Sequence, residues 1–158
     1  MLPHRSPPAR LQSAPGCPAE GESAGHAAGP SEVVYHPSMT VILWHYPNCS
    51  TCKKALRWLK EREIDCEAID LVATPPRAGQ LEDMHRRSGL ATRRLFNTSG
   101  LSYRGGGWKD RLPGLADAEA YEALAADGKL IKRPLLDTGS PGTVLVGFRE
   151  AEYEAALG

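Results

Sequence analysis

The chain alternates between two hydrophobic periods. Val41-Ile42-Leu43-Trp44 is a short apolar run, which predicts a strand over residues 41–46. Ala55, Leu56 and Leu59 then recur at helical spacing and predict a helix over residues 49–63. Cys66-Glu67-Ala68-Ile69-Asp70-Leu71-Val72 alternates again and reads as a second strand. Strand, helix and strand in that order make a βαβ unit, whose two strands run parallel with a right-handed crossover.

Thr74-Pro75-Pro76 reads as the start of another helix, a capping side chain before a first turn that tolerates proline. Leu81, Met84, His85 and Ser88 trace one face of it until Gly89 ends it. Residues 91–96 add a further turn, followed by the irregular Asn97-Thr98-Ser99-Gly100. Gly105-Gly106-Gly107 has neither a preceding strand nor a Lys-Ser/Thr pair, so it is expected to be a flexible turn and not a phosphate loop. Asp117 is expected to cap a helix whose Ala120, Tyr121, Leu124 and Ala125 face one way, ending at Asp127-Gly128. Residues 133–137 and 143–148 form two short strands joined by the turn-rich Thr138-Gly139-Ser140-Pro141-Gly142, and residues 149–157 close the chain as a helix. The predicted class is α/β. The order βαβ, helices, ββα is that of a thioredoxin-like (glutaredoxin-like) mixed sheet flanked by helices, with an enlarged helical insertion, over residues 39–158.

Composition changes the picture mainly at the N-terminus. Residues 1–38 hold seven prolines, four glycines, six alanines and five serines. So little bulky apolar surface cannot offset the entropy of ordering, and a disordered extension is expected there. Met39 offers an alternative start. Over the whole chain, nineteen basic residues balance nineteen acidic ones, which gives no electrostatic reason to expect direct nucleic-acid binding. No apolar run reaches the eighteen or so residues of a membrane span, and no uninterrupted apolar region suggests a secretory signal. Four unevenly spaced cysteines do not form a disulfide framework, so a reducing cytoplasmic setting is expected.

The candidate chemistry lies in Cys49-Ser50-Thr51-Cys52, at the junction of the first strand and helix. Cysteine attacks as thiolate, and the start of a helix favours the anion through free backbone N–H groups and the dipole. Lys53 and Lys54 add positive charge in the next turn. Cys52 lies one turn on, close enough to bond to Cys49, which predicts Cys49 as attacking and Cys52 as resolving thiol. The zinc alternative needs two more ligands, and Cys66 with His45 or His85 makes no recognised pattern. Cys66 is expected in the core, and Cys17 is incidental. His45 and Lys132-Arg133 are candidates to polarise the site or attract an anionic substrate, and Pro134 is a candidate cis-proline facing the dithiol. Arg86-Arg87 and Arg93-Arg94 read as solvated helix faces.

Tyr46-Pro47-Asn48-Cys49-Ser50-Thr51-Cys52-Lys53-Lys54-Ala55, Thr74-Pro75-Pro76 and Leu130-Ile131-Lys132-Arg133-Pro134-Leu135, in that order, resemble the arsenate reductase and Spx family over about residues 40–157. The resemblance implies a thioredoxin-like fold with a helical insertion, a nucleophile at Cys49 and a functional Arg133 before a cis Pro134. It implies no bound cofactor; glutathione, glutaredoxin or thioredoxin is the candidate electron donor, and the partner is a thiol redox protein or a small thiol. The family's glutaredoxin-dependent reductases place an anion-binding arginine where this chain has Asn97, match Arg149 within one residue, and generally lack a cysteine at Cys52. Thiol–disulfide oxidoreduction is therefore the first expectation. A redox-sensing regulator that binds the RNA polymerase α-subunit, as on the Spx side, is the second, and arsenate reduction the third.

Overall fold

The computed structural model describes residues 40–158. The expectations for residues 1–38, the start at Met39 and the role of Cys17 lie outside the described residues. Strand β1 (Val41–His45) is central, with β2 (Cys66–Asp70) parallel on one side and β3 (Leu135–Asp137) antiparallel on the other, and β4 (Val144–Val146) pairs with β3 at the far edge. Helix α1 (Ser50–Glu61) connects β1 to β2, so the predicted βαβ unit is present. Between β2 and β3 lie α2 (Ala78–Ser88), α3 (Leu101–Gly105), α4 (Trp108–Arg111) and α5 (Asp117–Ala126), and α6 (Glu150–Leu157) follows β4. This is the mixed sheet with an enlarged helical insertion.

Alternation along the strands divides the core in two. Leu43 of β1 and Leu136 of β3 meet Ala55, Trp58 and Leu59 of α1 and Tyr153 of α6. Trp44 and Leu135 belong to the larger cluster, with Leu81 and Met84 of α2, Tyr103, Trp108 and Leu124. Helices α1 and α6 thus cover one face of the sheet, and the insertion covers the other.

Four details depart from the sequence reading. First, α2 begins after Arg77, not at Thr74. The Asp70 carboxylate accepts from the N–H groups of Val72 and Ala73 at 2.8 and 3.2 Å, which turns the chain, and Gln80 Oε1 caps the Arg77 N–H at 3.0 Å. Second, the turn expected at Gly105-Gly106-Gly107 joins two short helices, α3 and α4, that the hydrophobic pattern does not mark, with Gly107 at φ 65°, and places Trp108 against Phe96 at 5.7 Å between ring centroids. Third, Ala116, not Asp117, precedes α5, its N–H bonded to Glu119 Oε2 at 3.0 Å. Fourth, Arg87 is not on a solvated face. Its guanidinium grips both Asp137 carboxylate oxygens at 2.6 and 2.7 Å and Asp83 at 2.7 Å, with only 12% of the side chain exposed. Arg86 is exposed and paired with Asp83.

Candidate active site

Strand β1 ends at His45, and Tyr46-Pro47-Asn48 turns the chain into α1. The Cys49 N–H closes that turn on the Tyr46 carbonyl at 3.0 Å, and the Cys49 carbonyl accepts the Lys53 N–H at 3.1 Å, so Cys49 is the N-cap residue. Its extended backbone aims the side chain back over the first turn, where backbone N–H groups lack intrahelical partners. Cys49 is half-buried and Cys52 fully buried, and both are free thiols. Cys52 Sγ accepts the Tyr46 N–H at 3.4 Å, which ties the second sulfur to the turn that holds the first.

The two thiols are driven apart electrostatically. Burial opposes the anion at Cys49, but the Cys52 N–H, the Cys52 thiol, the Thr51 N–H and the charge of Arg133 outweigh it and hold this thiol below the ordinary range. At Cys52, burial dominates. With the neighbouring Cys49 sulfur it pushes the thiol up to about 12, against the Tyr46 N–H and Arg133. The surroundings favour the thiolate at one sulfur and the thiol at the other.

Arg133 reaches the site from the segment before β3, its guanidinium 4.8 Å from the centre of the Tyr46 ring. The Arg133–Pro134 bond is cis, and Pro134 is buried with its carbonyl accepting the Gly147 N–H at 2.8 Å. The Arg133 charge adds to the Cys52 and Thr51 hydrogen bonds in lowering the Cys49 thiol. Lys53 and Lys54 are exposed on α1. Cys66 in β2 is half-buried beside the α1–α6 core, and burial raises its thiol. Among the described residues no three His, Cys, Asp or Glu side chains gather as metal ligands.

Beside the dithiol lies a cleft of about 560 Å³, lined by Thr51, Arg93, Arg94, Lys132, Arg133 and Arg149 among others, with no carboxylate in its wall. Arg93 and Arg94 are exposed, as expected, but they stand on a 3₁₀ turn (Thr92–Leu95) and face this cleft. The Phe96–Ile131 bridge and the Lys132 N–H on the Leu95 carbonyl at 2.6 Å bring that turn alongside the Arg133 segment. Asn97 bonds through its backbone to Leu130 at 2.7 Å, but its side chain packs at Gly100 and does not line the cleft. The exposure of Arg93 and Arg94 was legible from sequence, whereas their place beside the dithiol rests on a bridge between residues thirty-five apart in the chain.

The ArsC family model matches residues 44–156. The chain belongs to the ArsC family. Among its relatives it is similar to the uncharacterized protein YusI of Bacillus subtilis, 40% identical over 116 residues, which are 73% of this chain and 97% of that protein. It is also similar to an arsenate reductase of Neisseria meningitidis, 30% identical over 74% of this chain and 97% of the relative. A global transcriptional regulator Spx of Lactiplantibacillus plantarum matches at 23% identity over 74% of this chain and 86% of that protein. Among solved structures, an ArsC family related protein from Bacteroides fragilis superposes with a TM-score of 0.71 at 37% identity, covering 75% of this chain and 98% of the other. The matches place this ArsC-family chain in the arsenate reductase and Spx group with a thioredoxin-like fold, as its sequence motifs imply. No described helix is long and apolar enough to cross a membrane.

The electrostatic account gives a direct expectation. The pH midpoint for alkylation of Cys49 by iodoacetamide lies below that of an ordinary thiol. Substituting Arg133→Ala removes a positive charge that favours the thiolate, so the midpoint moves up; an unmoved midpoint would show that Arg133 does not act on the sulfur.

Proposed function

We propose that this ArsC-family protein is a thiol–disulfide oxidoreductase that uses Cys49 and Cys52 as its redox dithiol. The observation that carries this reading is the opposite tuning of the two sulfurs, with Cys49 lowered at the helix start and Cys52 buried and raised to about 12. The Cys49 thiolate attacks one sulfur of a substrate disulfide, forms a mixed disulfide and expels the other sulfur as a thiolate. The Cys52 proton passes to the expelled substrate thiolate, and the Cys52 sulfur then displaces the bound half of the substrate from Cys49 Sγ as a second thiolate, which water protonates. Two electrons pass to the substrate, and a Cys49–Cys52 disulfide remains. A thiol donor of the glutathione, glutaredoxin or thioredoxin type supplies two electrons to restore the dithiol. Arg133 supports the thiolate, and the cationic cleft beside it suits an anionic substrate or donor.

Because Cys52 is the resolving thiol, Cys52→Ser is expected to stall at the first step. Treating the pre-reduced variant with a small disulfide leaves one substrate half covalently bound at Cys49, read by intact mass and peptide mapping. A variant that resolves the adduct as fast as the parent protein would assign resolution to another group.

The Spx relative supports a second reading, a redox-controlled regulator that binds the RNA polymerase α-subunit. It predicts co-purification with that subunit that changes with the oxidation state of Cys49 and Cys52, and no association in either state would remove it. Arsenate reduction, the third reading, lacks the guanidinium that the family's glutaredoxin-dependent reductases place at the position of Asn97, although Arg93, Arg94, Arg133 and Arg149 line the cleft; absence of arsenate turnover with glutathione and glutaredoxin would remove it.

A further inference from the structure

The cationic cleft is not the only hollow on this side of the insertion. A second one of about 500 Å³ is lined by Tyr103, Leu112, Pro113 and Leu115, with Lys109 at its wall. Arg93 lines both hollows, so the 3₁₀ turn that carries it is their shared wall. Each volume falls within the range of small-molecule sites, and the two differ in chemistry: the first is polar and cationic, the second mostly apolar. The one carboxylate in the second, Asp117, is engaged by the Thr92 hydroxyl.

Most of the charges there are unspent. Arg62, Arg86, Arg87 and Arg149 all hold carboxylates, whereas Arg93, Arg94, Lys109 and Lys132 make no ion pair among the described residues. In a chain whose nineteen basic and nineteen acidic residues cancel, that local excess calls for anionic groups from a ligand.

We propose that the two hollows form one substrate site, and that the substrate is the disulfide of a polyanionic thiol ending in an apolar or aromatic group. This rests on the oxidoreductase reading of Cys49 and Cys52. The disulfide lies at Thr51 and Arg133, next to Cys49, and its anionic groups lie along Arg94, Lys132 and Arg93. The apolar end crosses the Arg93 turn onto Leu112, Pro113 and Leu115, with Lys109 beside it. Electron flow is as described above: the dithiol gives two electrons to the substrate disulfide and becomes the Cys49–Cys52 disulfide.

The test uses pre-reduced protein freed of reductant and follows its oxidation in single turnover by four disulfides. Coenzyme A disulfide carries phosphates and an aromatic base, pantethine has the same thiol arm without either, glutathione disulfide has carboxylates but no apolar end, and hydroxyethyl disulfide is small and neutral. The second-order rate constant for coenzyme A disulfide is expected to exceed those for pantethine and glutathione disulfide by about tenfold or more, with the advantage shrinking as salt rises. In Arg93→Ala, whose exposed side chain makes no ion pair among the described residues, the ratio of the coenzyme A disulfide rate to the hydroxyethyl disulfide rate falls about tenfold. Pantethine or glutathione disulfide reacting as fast as coenzyme A disulfide overturns the proposal while leaving the oxidoreductase intact. If none of the four oxidises the dithiol, the oxidoreductase reading fails, and calorimetry of coenzyme A with the Cys49→Ser protein decides the site. Binding that weakens about tenfold on adding Arg93→Ala supports it, and no binding overturns it.

Discussion

Substituting Cys49→Ser is expected to lower the rate of disulfide reduction by about three orders of magnitude or more. The geometry of the turn would survive, because serine is a preferred N-cap residue whose hydroxyl accepts from the same first-turn N–H groups. What disappears is the ionised nucleophile: the N–H groups of Thr51 and Cys52 and the charge of Arg133 lower a thiol into the useful range but cannot ionise an alcohol. Thermal stability should be unchanged or slightly higher, which separates lost chemistry from lost folding. A serine variant with more than a tenth of the parent rate would remove Cys49 from the mechanism.

The largest expected effect on stability lies away from the dithiol. Arg87→Ala should destabilise the fold by about 3–5 kcal/mol, read from the urea midpoint at constant slope. Arg87 and Asp137 have side chains only 12% and 10% exposed, and the pair is bidentate. Arg87 also donates to the Gly139 and Gly142 carbonyls at 3.3 and 3.4 Å, so it fastens the end of β3 and the following loop to α2. Truncation leaves the buried Asp137 carboxylate with the Gly139 N–H at 2.9 Å as its remaining partner. Arg87→Lys should recover only part of the loss, since an ammonium cannot form the paired contact. A loss below about 1 kcal/mol would class the pair with ordinary surface ion pairs.

Arg87 also shows where the sequence stops being informative. Arg86 and Arg87 look alike on an amphipathic helix, yet one is exposed and the other is clamped to a carboxylate fifty positions away in the chain. Local pattern was sufficient where the deciding contacts are local. The apolar run of β1, the helical spacing of Ala55 and Leu59 and the parallel return through β2 all appear as expected. It was insufficient at Thr74, where the Asp70 side chain takes the neighbouring N–H groups and delays the helix, and at Gly107, whose left-handed backbone joins two helices.

The site divides in the same way. Cys49, Cys52, Arg133 and Pro134 were legible because a strand-to-helix junction and a short motif place them. Arg133, eighty-four residues beyond Cys49, adds its charge to the site across the sheet, a neighbour that its motif names but that local spacing alone does not place. Arg93 and Arg94 are brought to the cleft by the Phe96–Ile131 bridge, and no local periodicity encodes a bridge between distant segments.

The division of labour between the two sulfurs is tested most directly by oxidising the pre-reduced protein with one equivalent of a small disulfide, then mapping every cysteine by mass spectrometry. The account predicts that both substrate halves are released as thiols and that the protein carries a single Cys49–Cys52 disulfide, with Cys66 still free. A stable substrate adduct on Cys49, or a disulfide that uses Cys66 in place of Cys52, would contradict it.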